Sequence, residues 1–438
     1  MSMVVKNNMS AVNTLNVLNV NTQNLTKSLQ KVSSGMKING AADDASGYAI
    51  SERMRVQIRS LDQDKANTQN GNSLMKVAEG AVSSTVDILK TLKEKVINAA
   101  NDTNTDSDRA TIQKELDQSI DQINDNANVT FNGKYLVDGS HNNLVTATTC
   151  SMTNQSLADS TTWATAITDL KNRNGNSLNI QSTDSVTVSY VNQGKTYTTN
   201  FKVSNLRMEN IITNANKVAG TNCAGIAQGN TNSLIGVDTA GNNVYTASGR
   251  NAMTIKAAGT GVDNQIAGIT ISITDNTGKV NKSANAALDD FAESIRAQNK
   301  SEDNAIVLQI GTKASQSIKA GMTDMRAVAL GLQGTDGSTL SVGTQQKANA
   351  AINVLDNAIQ KALDQQTTIG SIQSRLEYTA SNLTTASENV QSAESTVRDA
   401  DMAKEMTEYT KNNVLMQAAQ SMLAQANQNS SNVLSLLQ

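Results

Sequence analysis

A seven-residue apolar repeat near both ends of the chain narrows the fold more than any other feature. Leu15, Leu18, Thr22, Leu25, Leu29, Val32 and Met36 step by alternating threes and fours. Ala78, Val82, Thr85, Leu89, Leu92, Val96 and Ala99 do the same, and Ile112, Leu116, Ile120, Ile123 and Ala127 make a shorter stripe. Past the middle, Ala348, Ile352, Leu355, Ile359, Ala362, Gln366, Ile369, Gln373, Leu376, Ala380 and Leu383 take up the rhythm. Leu415, Ala419, Met422, Ala426, Asn429, Val433 and Leu436 close the chain on it. A narrow seam sustained this way predicts long helices of the coiled-coil kind. Nothing breaks them, because the 438 residues include no Pro. Average usage of about 5% would supply about 22, and each would end or kink a helix.

Breaks between the rods are legible. Gly35, Gly40 and Gly47 surround a loop in which Asp43 and Asp44 stand where the next helix starts. Carboxylates favour that end of a helix. NAANDTNTDSD at 98–108 reads as a polar turn, and Phe131, Asn132 and Gly133 end the third helix. Residues 141–304 change texture to Thr, Ser, Gly, Val and Ile. There Val186, Val188 and Tyr190 alternate against Tyr197, Thr199, Phe201 and Val203 across a Gly-containing turn, a β-hairpin pattern. Ile269, Ile271 and Ile273, followed by DNTGK, repeat it. The chain reads as mainly α, with a β-rich domain inserted in its middle: a multi-domain α+β protein.

Composition removes several function classes. Lys and Arg number 36 against 39 Asp and Glu, so no basic excess serves a polyanion. Aromatics are 3%, too few to line a typical ligand pocket. His141 is the only His, which argues against His-based zinc sites and a Ser-His-Asp triad. No cofactor site is expected. Cys150 and Cys223 are too few for a disulfide framework and admit either one bridge or two buried thiols. No segment approaches the roughly 18 apolar residues of a membrane span. Asn interrupts every hydrophobic run of the N-terminus, so no cleaved secretory signal is expected.

The first and last stripes together offer only about ten large apolar side chains, which does not offset the ordering of the residues that carry them. Asn, Ser and Thr add poor helix propensity. The two ends are therefore expected to be disordered in a free monomer and to fold when neighbours bury the seam.

SSGMKINGAADDASGYAISERMRVQIRSLDQDKANTQNGNSLMKVAEGA (33–81) closely resembles the N-terminal signature of bacterial flagellin. FNGKYLVDGS (131–140), LQIGTKASQSIKAGMTDMRAVALG (308–331) and GSIQSRLEYTASNL (370–383) resemble later parts of that family, in the family order. The tail TVRDADMAKEMTEYTKNNVLMQAAQSMLAQANQNSSNVLSLLQ (396–438) resembles the flagellin terminus almost throughout. The resemblance implies antiparallel pairing of helices from both chain ends. It implies an inner tube from 1–42 and 399–438, a helical core from 43–140 and 305–398, and a solvent-facing β-rich domain at 141–304. It implies a self-assembling filament subunit for swimming, exported unfolded without a cleaved signal. Its partners would be other copies of itself, an export chaperone, the filament cap and the hook-filament junction proteins, with no nucleic acid or membrane.

The residues expected to assemble the inner tube are Leu15, Leu18, Leu25, Leu29, Val32, Met36, Leu415, Met422, Val433 and Leu436. Those expected to pack the core helices are Val82, Leu89, Leu92, Val96, Ile352, Leu355, Ile359, Ile369 and Leu376. The family also implies a face for a vertebrate Toll-like receptor, built from an Arg, a Leu and a Glu. Here those positions hold Thr91, Lys95 and Glu115. Losing an Arg fork and an apolar anchor predicts weak or altered signalling. The same-class alternative is a hook-filament junction protein. A protease in the insert would need paired zinc-binding His residues, and His141 stands alone. Trp163 and the Tyr residues could stack on a sugar, against a plainer reading of Trp163 as core.

Overall fold

The computed structural model describes residues 8–219 and 226–436. Cys223 and the side chains of Val433 and Leu436 lie outside the described residues. The helices are α1 (Met9–Ser34), α2 (Ala45–Ala99), α3 (Asp106–Ala127), α4 (Met208–Ala219), α5 (Lys282–Leu288), α6 (Ala327–Leu330), α7 (Gln345–Arg398) and α8 (Met402–Leu436). The strands are β1 (Thr130–Phe131), β2 (Lys134–Tyr135), β3 (Ser151–Asn154), β4 (Ser185–Asn192), β5 (Lys195–Lys202), β6 (Ile226–Gln228) and β7 (Leu234–Val237). They continue with β8 (Asn243–Tyr245), β9 (Met253–Ala257), β10 (Ile266–Thr274), β11 (Phe291–Ile295), β12 (Ile306–Gln309) and β13 (Ser317–Ala320). Long helices at both ends and a strand-rich middle are thus the architecture that the repeat and the texture change predict.

Two compact units divide the chain. One holds α1, α2 as far as Asn67, Ile310–Gln316, α7 from Tyr378, and α8. The other runs Thr68–Gln309 and Ser317–Glu377.

In the second unit, the C-terminal half of α2 meets α3 through contacts of Ser84 with Asn126 and of Lys95 with Glu115, and meets α7 through contacts of Lys93 with Asp356 and of Glu79 with Gln373. The α2 stripe from Ala78 through Val82, Thr85, Leu89, Leu92 and Val96 to Ala99 is buried throughout, and Leu116, Ile120 and Ile123 of α3 are buried with it. Thr105 and Asp108 form a capping box at the start of α3, which fixes the polar turn after α2. Asn132 and Gly133 both take positive φ between β1 and β2, as a two-residue hairpin turn requires.

The strand-rich core contains two sheets, ordered β10-β4-β5 and β11-β3-β9-β6. The hairpin expected at 185–202 forms in the expected register, with Val186 opposite Phe201, Val188 opposite Thr199 and Tyr190 stacked on Tyr197. Its turn, Gln193 and Gly194, has positive φ at both positions. Gly194 is also sterically required, because a Cβ there would sit 2.4 Å from Ser338 O. On the other edge of β4, Ile269, Ile271 and Ile273 of β10 pair with Tyr190, Val188 and Val186. DNTGK does not extend a second long hairpin: after it the chain makes a single bridge, Thr274 to Val280, and enters α5. Trp163 belongs to the apolar core, where its Nε1 donates to Gly229 O at 3.0 Å. Cys150 is a buried free thiol. Residues 306–320, which share the composition of the helical arm, form the β12–β13 hairpin rather than helix.

Candidate assembly surface

Helices α1 and α8 pair antiparallel, and polar side chains set their register. Asn8 caps α1 by accepting from Ala11 N–H, and its amide donates to Ala426 O at 3.1 Å. Asn21 Nδ2 donates to Leu415 O at 3.3 Å, and Asn412 Nδ2 donates to Ser28 Oγ at 2.9 Å. Lys31 and Glu405 are 3.6 Å apart. The residues turned toward the partner helix are Ala11, Thr14, Leu18, Asn21, Leu25, Ser28 and Val32 on α1. On α8 they are Glu405, Tyr409, Asn412, Met416, Ala419, Leu423 and Ala426.

That seam overlaps the sequence stripe at alternate steps only. Leu18, Leu25 and Val32 face inward. Leu15 and Leu29 are 45% and 50% exposed, and Leu415 and Met422 are 42% and 62% exposed. The physical reason is that Asn21 and Ser28 hold the second column of the seam. Their short polar side chains reach across to α8 and turn the larger leucines outward. Val12, Val17, Val20, Val414 and Met406 are exposed as well. Ser28 and Ala419 are the only fully buried residues among the described side chains of the two helices. One chain therefore leaves most of the pair's apolar surface uncovered.

The pair is anchored where α1 ends and α8 begins. Gly35 takes φ +73° and stops α1, with its N–H on Lys31 O. Met36 then bridges Asp399, while Lys37 N–H donates to Arg398 O and Ala400 N–H donates to Gly35 O, each at 2.9 Å. Arg398 is buried at the centre. Its Nη1 donates to Glu52 Oε1 at 2.7 Å, its Nε approaches Met36 Sδ at 3.2 Å, and its guanidinium lies 5.7 Å over the Tyr48 ring. The Arg398 hydrogen bond, helped by Arg55, holds the Glu52 carboxyl below its ordinary range. Gly47 leaves room for this corner, since a Cβ would meet Asp44 Oδ2 at 2.5 Å and Ile38 Cδ1 at 2.7 Å. Sequence reasoning missed Arg398, because its carboxylate partner lies 346 residues away.

Among the core-helix positions, Val82, Leu89, Leu92, Val96, Leu355, Ile369 and Leu376 are buried. Ile352 and Ile359 are only half-buried. The second column of α7 runs one residue earlier, through Ala351, Ala358 and Gln365, all buried. Small side chains there admit close helix approach and push the bulky isoleucines to the flank.

A model of the bacterial flagellin N-terminal helical region matches residues 5–142, and one of the bacterial flagellin C-terminal helical region matches residues 352–437. A flagellin of Clostridium tyrobutyricum is 36% identical over 437 residues, spanning 97% of this chain and 99% of the relative. The chain belongs to the bacterial flagellin family. A flagellin of Bacillus subtilis (strain 168) is 30% identical and spans 99% of this chain and 100% of the relative. The flagellar junction protein FlgL from Legionella pneumophila is 15% identical, covers 80% of this chain and 100% of its own, and superposes with a TM-score of 0.32, too low to define a shared fold. Full-length identity to flagellins decides for a structural subunit of the flagellar filament over a hook-filament junction protein. No helix among the described residues is long and apolar enough to cross a membrane.

Thr91 and Lys95 sit on α2 and Glu115 on α3. Lys95 Nζ and Glu115 Oε1 form an ion pair at 3.0 Å, and Thr91 returns its hydroxyl to Asp87 O at 3.0 Å. Glu115 is therefore engaged by Lys95.

Proposed function

We propose that the outward apolar face of the α1–α8 pair is the surface through which copies of this chain build the inner tube of the filament. The observation that carries this reading is the exposure of Leu15, Leu29, Leu415 and Met422 beside an inward column of Asn and Ser. A subunit that adds to the next by a rotation that does not close gives an open helix, and each addition covers that face. Residues 1–42 and 399–438 then serve as the tube, 43–140 and 305–398 as the core layer, and 141–304 as the solvent-facing domain.

The chain leaves the cell unfolded, with an export chaperone as its carrier. The cap and the junction proteins bound the growing polymer, and the filament drives swimming outside the cell. It works by assembly rather than catalysis. Toll-like receptor signalling is weakened or altered, since Thr91 and Lys95 stand where the family pattern has an Arg and a Leu, and Lys95 pairs with Glu115. Full potency in a reporter-cell assay would refute that last point.

Electron microscopy tests the main reading. Salt-induced filaments are expected from the full chain and not from one lacking residues 1–36 and 402–438. Filaments from the truncated chain would contradict it.

A further inference from the structure

Three side chains with complementary chemistry meet in the interior of the strand-bearing unit and play no part in the assembly surface. Lys361 of α7 and Gln265, which leads into β10, are each 2% exposed. Lys361 Nζ lies 3.2 Å from Glu293 Oε1 on β11, whose side chain is 8% exposed. The Gln265 carboxamide, oriented to satisfy its neighbours, points its nitrogen at Ala329 O, 3.2 Å away, and sets its oxygen directly against Lys361 Nζ. The Lys361 amine is thus in contact with both a carboxyl and a carboxamide, away from water.

Burying an ion pair costs desolvation that its mutual attraction does not always repay. Moving the proton from Lys361 to Glu293 removes both charges and leaves a free amine against an amide carbonyl. We propose that Lys361 and Gln265 form an intramolecular isopeptide bond, with Glu293 as the proton-transfer group. The Lys361 lone pair adds to Gln265 Cδ, and the Cδ–Nε2 bond breaks. Glu293 hands its proton to the departing nitrogen and takes one from the new amide nitrogen. One N–C bond replaces another, ammonia leaves, and no oxidant or further reactant is consumed.

Cys150 fits a supporting place. Its Sγ is 3.4 Å from Ile266 O and 3.5 Å from Glu293 Oε1. Burial pushes the thiol far above its ordinary range. It stays protonated, a donor to Glu293 and not a rival nucleophile. A cleft of about 180 Å³ lined by Lys361, Ala329 and Arg326 gives ammonia a way out. The bond would tie α7 to the entry of β10 covalently, in a protein that works under shear.

Mass spectrometry of the full-length, denatured chain decides the matter. The intact mass is expected about 17 Da below the sequence mass, one ammonia. Digestion is expected to release a branched peptide pair joining Gln265 to Lys361. Lys361→Arg and Glu293→Gln are each expected to abolish the deficit and the branched pair. A wild-type chain at its full sequence mass overturns the proposal, whatever the variants do. So does a deficit of about 18 Da, which is a water lost between Lys361 and Glu293 themselves. A loss of about 17 Da that maps to an asparagine succinimide, as at Asn132-Gly133, overturns it too.

Discussion

Leu89 and Leu29 occupy equivalent steps of one seven-residue repeat, yet Leu89 is fully buried and Leu29 is half exposed. Around Leu89, every step of the α2 stripe from Ala78 to Ala99 is covered within the same chain. Around Leu29, a single partner helix covers one edge, and that edge is held largely by Asn, Ser and Ala. The repeat therefore says which residues share a helix edge. What covers that edge depends on how many neighbours the chain itself can supply. The C-terminal half of α2 has both α3 and α7 beside it, while among the described residues α1 and α8 pair chiefly with one another.

The contrast is sharpest in a pair of truncations. Leu89→Ala is expected to lower stability by about 2–5 kcal/mol, because it opens a cavity in a fully packed site. Leu29→Ala is expected to change the monomer's unfolding free energy in urea by less than about 0.5 kcal/mol, while suppressing salt-induced polymerisation followed by light scattering. Equal destabilisation of the monomer by both would erase the distinction.

Arg398 tests whether the terminal pair has an anchor of its own. Arg398→Ala removes a partly buried hydrogen bond to Glu52 and the cover over Tyr48, and should cost about 1–2 kcal/mol in the unit that holds α1 and α8. Glu52 adds a pH signature. Its folded carboxyl titrates below the unfolded one, so the contribution is present above the ordinary carboxylate range and fades as pH falls through the folded value. Protease sensitivity of the first turns of α2, which carry Glu52, should rise at acid pH, and Glu52→Gln should flatten that rise.

Asp289 gives the strand-rich region the opposite sign. Burial raises its carboxyl from 3.8 to about 6, although its Oδ1 accepts from Ile271 N–H at 2.7 Å. Its favourable contribution is complete below the unfolded value and is lost as pH rises through about 6. Asp289→Asn keeps an acceptor for Ile271 and should stabilise that region by about 1–2 kcal/mol at pH 7, with no gain at pH 3.5. Calorimetry at the two pH values checks it. The smallest effect belongs to Lys95 and Glu115, an exposed pair whose double-mutant coupling should be about 0.2–1 kcal/mol.

The sequence carried much of this at particular places. The α2 stripe from Ala78 to Ala99 is buried in full, and the 185–202 hairpin has the expected register. The second column of each seam was not legible. Large apolar residues announce an edge, but Ala351, Ala358, Asn21 and Ser28 occupy half of the actual contact. Small or polar residues carry no periodic signal until a partner backbone is close. Arg398 with Glu52, and Lys361 with Glu293, were hidden for a different reason: each pair joins distant segments, and one charged residue announces nothing about its partner. The β12–β13 hairpin was hidden by composition, since 306–320 reads like the helical arm around it.

The central claim is that α1 and α8 depend on neighbouring subunits for their cover. Amide hydrogen exchange on the same full-length chain, as monomer and as filament, tests it most directly. The α2 amides between Ala78 and Ala99 should be protected in both states. The amides of α1 and α8 should exchange within seconds in the monomer and slow by orders of magnitude in the filament. Termini as protected in the monomer as α2 would contradict the account.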